Sequence, residues 1–167
     1  MAVIFHMGLR PEKAHSDDAA YDLTACTSEP IVIEPGDRKL IPTGFWGIIP
    51  EGFVGLICSR SGMALVRGLF VLNAPGVIDP SYRGEVGVVL ANIGKHHEVI
   101  NPGERIAQLL IVRTSVTQFV HDPAIFDNNQ TARGSKGYGS TGRSKPYRQE
   151  GHTSFPLTDT NPFAPTT

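Results

Sequence analysis

Cysteine is scarce in this chain: Cys26 and Cys58 are the only two among 167 residues, far apart and without Cys-x-x-Cys spacing. A zinc knuckle and a dense disulfide framework are thereby excluded, and two reduced, buried thiols are expected. A surplus of positive charge is also missing, because fifteen Lys and Arg face sixteen Asp and Glu for a formal net charge of -1. Nucleic-acid polymers are held by neutralising many phosphates at once, so none is expected as a partner. No apolar run approaches the roughly 20 residues that cross a bilayer, and Met1 to Arg10 shows no signal-peptide pattern. These absences predict a soluble, cytoplasmic protein that acts on small ligands and has no membrane partner. Long helical periodicity is lacking too, apart from a short helix predicted over Ser61 to Arg67.

Turn-forming residues are abundant. Eighteen glycines and thirteen prolines punctuate the chain at Pro35-Gly36, Glu51-Gly52, Pro75-Gly76 and Pro102-Gly103, each between short apolar or alternating runs. Ile31 to Ile33, Phe53 to Cys58, Leu69 to Leu72, Val86 to Leu90 and Ile106 to Val112 are mostly rich in β-branched residues, with Leu40-Ile41 as a brief addition. The pattern predicts an all-β barrel or sandwich. At 40% hydrophobic content the length suits one globular domain. From Arg143 to Thr167 prolines stand among Ser, Thr, Asn and Gln with little to bury, so a disordered tail is expected. That tail reads as a solvated extension or as a docking segment for a protein partner, and its composition favours the extension.

Several segments carry chemistry. In Ala20 to Ala25 the alternation sets Tyr21, Leu23 and Ala25 against Asp22 and Thr24, so Asp22 falls on the polar face of a strand, solvated or facing a cation. Cys58 to Ala64 places Arg60, Ser61 and Gly62 where a strand gives way to a helix; free N–H groups there suit phosphate, and Ser61 alternatively caps the helix. Asn73 to Asp79 reads as a bend whose backbone groups, free of a sheet ladder, read a base edge. Beyond it, Tyr82 offers a flat wall to a sugar and Asp79 is either a turn former or a proton acceptor for water. Gln108 is a polar residue inside an apolar strand, which requires a partner for its amide: a phosphate or a backbone carbonyl. Arg133 to Gly142 has no apolar face; its glycines, with Lys136, Tyr138, Ser140 and Thr141, suit a mobile arm closing on an anion. It does not have Walker A spacing.

These segments, in this order over residues 17 to 142, resemble the five motifs of the trimeric all-β dUTPase family. The matching residues are Tyr-Asp-Leu at 21 to 23, Arg-Ser-Gly at 60 to 62, Gly-Val-Ile-Asp with Tyr-Arg-Gly at 76 to 84, Gly-Glu-Arg-Ile-Ala-Gln at 103 to 108, and the Gly-Ser-Thr-Gly ending at Gly142. The resemblance implies a jelly-roll-like β-barrel over residues 1 to 132, a phosphate-closing arm over 133 to 142 and a tail over 143 to 167. It implies a homotrimer with sites between subunits, and hydrolysis of dUTP to dUMP and pyrophosphate with Mg2+ carried on the triphosphate. Asp79 would activate the attacking water, and Asp22 would touch the water shell of the metal. Arg60, Ser61, Gly62 and Gln108 would hold phosphates. Asn73, Val77, Ile78 and the backbone near Gly87 would line the uracil and sugar site, with Tyr82 excluding a ribose 2′-hydroxyl. Arg133, Gly139, Ser140 and Thr141 would close over the phosphates while Tyr138 stacks on uracil. Ser59 and Lys136 stand where the family commonly has proline and glycine. Two rivals are a dCTP deaminase-like nucleotide enzyme, against which the terminal arm argues, and a nucleotide-gated regulatory binding protein, against which Asp79 argues.

Overall fold

The computed structural model describes residues 3–125 and 131–135. The chain forms two units, Met1–Val116 and Thr117–Thr167. Among the described residues of the first, eleven strands follow one another: β1 (Phe5–Gly8), β2 (Tyr21–Thr24), β3 (Ile31–Ile33), β4 (Arg38–Pro42), β5 (Phe45–Ile48), β6 (Phe53–Cys58), β7 (Leu69–Val71), β8 (Gly76–Ile78), β9 (Gly87–Asn92), β10 (Glu98–Ile100) and β11 (Arg105–Arg113). The all-β class predicted from the turns and short apolar runs is the one found, jelly-roll-like as the family resemblance implies. All pairings between strands are antiparallel. They build a four-stranded sheet in the order β2-β11-β6-β8, a three-stranded sheet β4-β9-β7, and the pairs β1-β5 and β10-β3.

The sheets close on Leu23, Ile33, Ile41, Leu69, Leu90, Ile100 and Ile106, none more than 1% exposed. Burying side chains of this kind contributes about 1.5–3 kcal/mol each, and the buried pairs Leu69 with Val71 and Val88 with Leu90 show the period of two expected of strands. Strands β1, β5 and β10 were not predicted, because Phe-His-Met-Gly, Phe-Trp-Gly-Ile and Glu-Val-Ile lack a clean alternation or a β-branched run.

The helix predicted over Ser61 to Arg67 is found, with Ser61 and Gly62 α-helical and a wider π-type turn over Met63–Arg67. Gly68, at φ 67°, ends it by donating its N–H to Met63 O. Arg67 anchors this turn: its guanidinium pairs with Glu98 and Glu104 and donates to Val99 O at 2.7 Å. Burial works against that charge, yet the hydrogen bonds to Glu98 and Glu104 prevail and raise the guanidinium above its ordinary value.

Both cysteines are free, but neither is buried: Cys26 is exposed and Cys58 half-buried. The alternation explains Cys26, which follows inward-facing Ala25 and therefore points out. In the second unit, Ala124 N–H donates to Asp122 Oδ1 at 2.9 Å, and Gly134 N–H to Thr131 O at 3.0 Å.

Candidate active site

One face of the four-stranded sheet brings together two of the predicted phosphate-holding residues, Arg60 and Gln108. Gln108 stands opposite Asp22 on one side and opposite Cys58 on the other, so all three side chains emerge on the same face. Arg60 follows two residues after Cys58. Its Nε lies 3.1 Å from Asp22 Oδ1 and its Nη1 donates to Arg105 O at 2.9 Å. Arg105 closes the group from the other side, with Nη1 3.3 Å from Asp22 Oδ2. Asp22 is therefore not the solvated acid of a polar face: it is 7% exposed and lies between two guanidiniums, while its neighbour Tyr21, placed by alternation with the apolar set, is 37% exposed. Arg105 was not singled out in the sequence, although an arginine beside an otherwise apolar strand is a signal of charge with a purpose. Among the described residues the half-buried Gln108 amide takes no backbone carbonyl across the sheet.

Ser61 and Gly62 are exposed at the start of the π-type turn. Ser61 does not cap it: the capping position is Gly62, with no side-chain bond. Ser59, just before Arg60, accepts the Val71 N–H on its hydroxyl at 2.9 Å. A proline there could not make that bond, so in this chain the arginine loop is tied to the strand that leads to Asn73.

The segment Gly76–Ile78 is not a bend free of a ladder. It is strand β8, pairing Gly76 with Ile57, Val77 with Leu56 and Ile78 with Gly55. This pairing with β6 was unreadable because proline and glycine dominate the local composition, whereas the partner is supplied by tertiary packing. β8 lies at the sheet edge, so no strand among the described residues pairs with its outer backbone groups. Val77 and Asn73 are exposed. Past the strand, Asp79 is exposed and its carbonyl accepts the Tyr82 N–H at 3.1 Å, which puts the acid and the ring on one turn. Gly87 is exposed at the start of β9, opposite Pro42.

Register also shows what one chain keeps apart. Gln108 is level with Cys58, whereas β8 runs the other way and delivers Asp79 near the level of Val54, beyond the Ile78–Gly55 pair. Four residues along the strands and two strands across amount to roughly 15 Å. A cavity of about 530 Å³ lined by His6, Arg10, Tyr21 and Leu109 includes none of the predicted site residues. Arg133 lies in the second unit, and Lys136, Tyr138, Gly139, Ser140 and Thr141, like the predicted tail, lie outside the described residues.

A magnesium ion seeks about six oxygen ligands. Among the described residues no three acidic, histidine or cysteine side chains cluster to supply them, and both Asp22 oxygens face arginine. Asp22 does not fit an inner-sphere ligand.

The family model described as dUTPase matches residues 9–142. This chain belongs to the dUTPase family. Among curated dUTPase relatives, the deoxyuridine 5′-triphosphate nucleotidohydrolase of Chlamydia muridarum is 45% identical over 132 residues, covering 79% of this chain and 90% of that protein. The enzyme of the same name from Rickettsia bellii is 44% identical over 135 residues, covering 81% and 88%. Among solved structures, a variant dUTPase of Staphylococcus bacteriophage 80alpha with dUpNHpp superposes with a TM-score of 0.71 at 28% identity, over 84% of this chain and 99% of that one. A mutant dUTPase from phage phi11 of S. aureus, in which a structural Mg(II) ion is coordinated, gives a TM-score of 0.66 at 26% identity over 74% and 98%. The dUTPase fold thus accommodates the strand order described above.

Proposed function

We infer that this chain is a dUTP diphosphatase, hydrolysing dUTP to dUMP and pyrophosphate. Family membership at 45% identity over most of the chain supports the reaction. The observation that carries the site is the shared sheet face, where Asp22, Arg60, Arg105 and Gln108 assemble a cationic, hydrogen-bonding patch around one buried carboxylate.

Arg60, with Ser61, Gly62 and Gln108, grips the phosphates; Arg105 adds positive charge beside them, and Asp22 keeps both guanidiniums in place. The edge strand β8 reads uracil through its free backbone groups, Val77 and Ile78 line the base and sugar with Asn73 and the backbone at Gly87, and Tyr82 crowds the 2′-position. Asp79 orients a water on the α-phosphorus and takes its proton as the oxygen attacks, and pyrophosphate leaves. The substrate is the magnesium complex, with Asp22 meeting its water shell; the ion neutralises charge on the phosphates. Arg133, Tyr138, Gly139, Ser140 and Thr141 close over the nucleotide and exclude water.

The chain works as a homotrimer with its sites between subunits. The roughly 15 Å that register sets between Asp79 and Gln108 within one chain supports this, since a water-activating carboxylate and an α-phosphate grip must lie within a few ångströms of the same atom. Among the described residues no helix is long and apolar enough to cross a membrane.

Pyrophosphate release measured across dUTP, dTTP, dCTP and UTP tests the reading. Turnover confined to dUTP is expected. Ammonia release from dCTP, or binding without turnover, would replace it with one of the rivals.

A further inference from the structure

The loop that follows Asp79 is braced at several points, and the braces converge on Tyr82. Its N–H donates to Asp79 O at 3.1 Å, and its hydroxyl donates to Glu85 O at 2.7 Å. Arg83 Nη1 folds back to donate to Pro80 O at 2.6 Å and to Tyr82 O at 2.8 Å. Gly84 completes the fit. Its φ is not positive, so the backbone does not demand glycine; what glycine supplies is room. A Cβ at Gly84 would sit 2.7 Å from Tyr82 Cζ and closer still to the hydroxyl oxygen, so any larger residue must push the ring aside.

Glu85 ties this loop to a rigid post. Its Oε1 accepts the Gly44 N–H at 2.7 Å. The next residue continues the attachment: Val86 N–H donates to Phe45 O at 2.9 Å, and Val86 O accepts from Thr43 Oγ1 at 2.5 Å. The post cannot shift easily, because Gly44 has φ +65° and a side chain there would meet Cys26 Sγ at 2.8 Å. The ring of Tyr82, itself 41% exposed, therefore owes its position to Gly84 and Glu85 rather than to burial.

We propose that Gly84 and Glu85 are positioning residues that set sugar selectivity, by holding the Tyr82 ring at a fixed height against the 2′-position of the nucleotide. The inference rests on the dUTP reading above. A pocket that merely crowds an added hydroxyl rejects it by only about 100-fold, so a small displacement of the wall erodes much of the discrimination.

The test is pyrophosphate release from dUTP and from UTP by the full chain and its variants. In Gly84→Ala and in Glu85→Ala the ratio of kcat/KM for dUTP over UTP is expected to fall by about tenfold. Glu85→Gln should keep the ratio, because its amide oxygen still accepts the Gly44 N–H. An unchanged ratio in Gly84→Ala and Glu85→Ala, even with both activities reduced, would overturn the proposal, as would a Glu85→Gln variant that loses selectivity as fully as Glu85→Ala. Should Gly84→Ala not fold, the Glu85 pair decides alone. Failure of the dUTP reading itself looks different: the unaltered chain would then release no pyrophosphate from dUTP, or would release it equally from UTP.

Discussion

Asp22 Oδ1 lies 3.1 Å from Arg60 Nε, yet neither atom makes an aligned hydrogen bond, so charge holds this pair. The carboxylate is 8% exposed against 27% for the guanidinium. Asp22→Asn keeps the shape and removes the charge, leaving Arg60 and Arg105 to repel each other. Loss of a partner from a fully buried pair costs about 3–5 kcal/mol; with half-exposed arginines, about 1–3 kcal/mol is expected from urea denaturation. The KM for dUTP should rise about tenfold with kcat less affected, the mark of lost ground-state grip.

Asp79 is exposed on its turn, and its backbone rather than its carboxylate holds the loop. Asp79→Asn should therefore fold normally and bind a nonhydrolysable dUTP mimic with little change. Turnover should drop by about 10²- to 10⁴-fold, the range for removal of a general base. Full activity in a pyrophosphate assay would refute the assignment.

Arg67 holds Glu98, Glu104 and Val99 O together behind the arginine loop. Arg67→Met leaves two half-buried carboxylates unpaired and should destabilise the fold by about 3 kcal/mol in chemical denaturation. Double variants that also replace Glu98 should recover part of the loss, since an uncompensated charge is then gone.

Deletion of residues 133 to 167 is expected to cripple dUTP hydrolysis, whereas deletion of 143 to 167 alone should leave it nearly intact. Steady-state pyrophosphate release on the two truncations separates the arm from the tail. Equal damage from both would show that the tail is required.

The motifs were legible because each keeps its residues within a few positions of one another. Arg60 to Gly62, Gly76 to Gly84 and Gly103 to Gln108 could be read for phosphate, base and sugar chemistry from residue type alone. The all-β class followed as directly from turn residues spaced between short β-branched runs.

Pairing was not legible. Gly76–Ile78 reads as a bend by composition, but β6 supplies a partner and makes it an edge strand. Asp22 reads as a solvated acid by alternation, but Arg60 and Arg105 arrive from elsewhere and make its burial tolerable. Cys26 reads as a core residue by type, yet its place after Ala25 turns it outward.

The sequence by itself determined the fold class, the family resemblance and the residue types available for dUTP chemistry, because those reside in local composition and spacing. Only the tertiary structure decided that Asp22 and Gln108 stand in register, that Asp79 lies far from them within one chain, and that Gly84 and Glu85 support Tyr82. The reason is physical: strand register and side-chain ion pairs are contacts between segments distant along the chain, and they are selected by the joint packing of a whole sheet rather than by any short stretch of it.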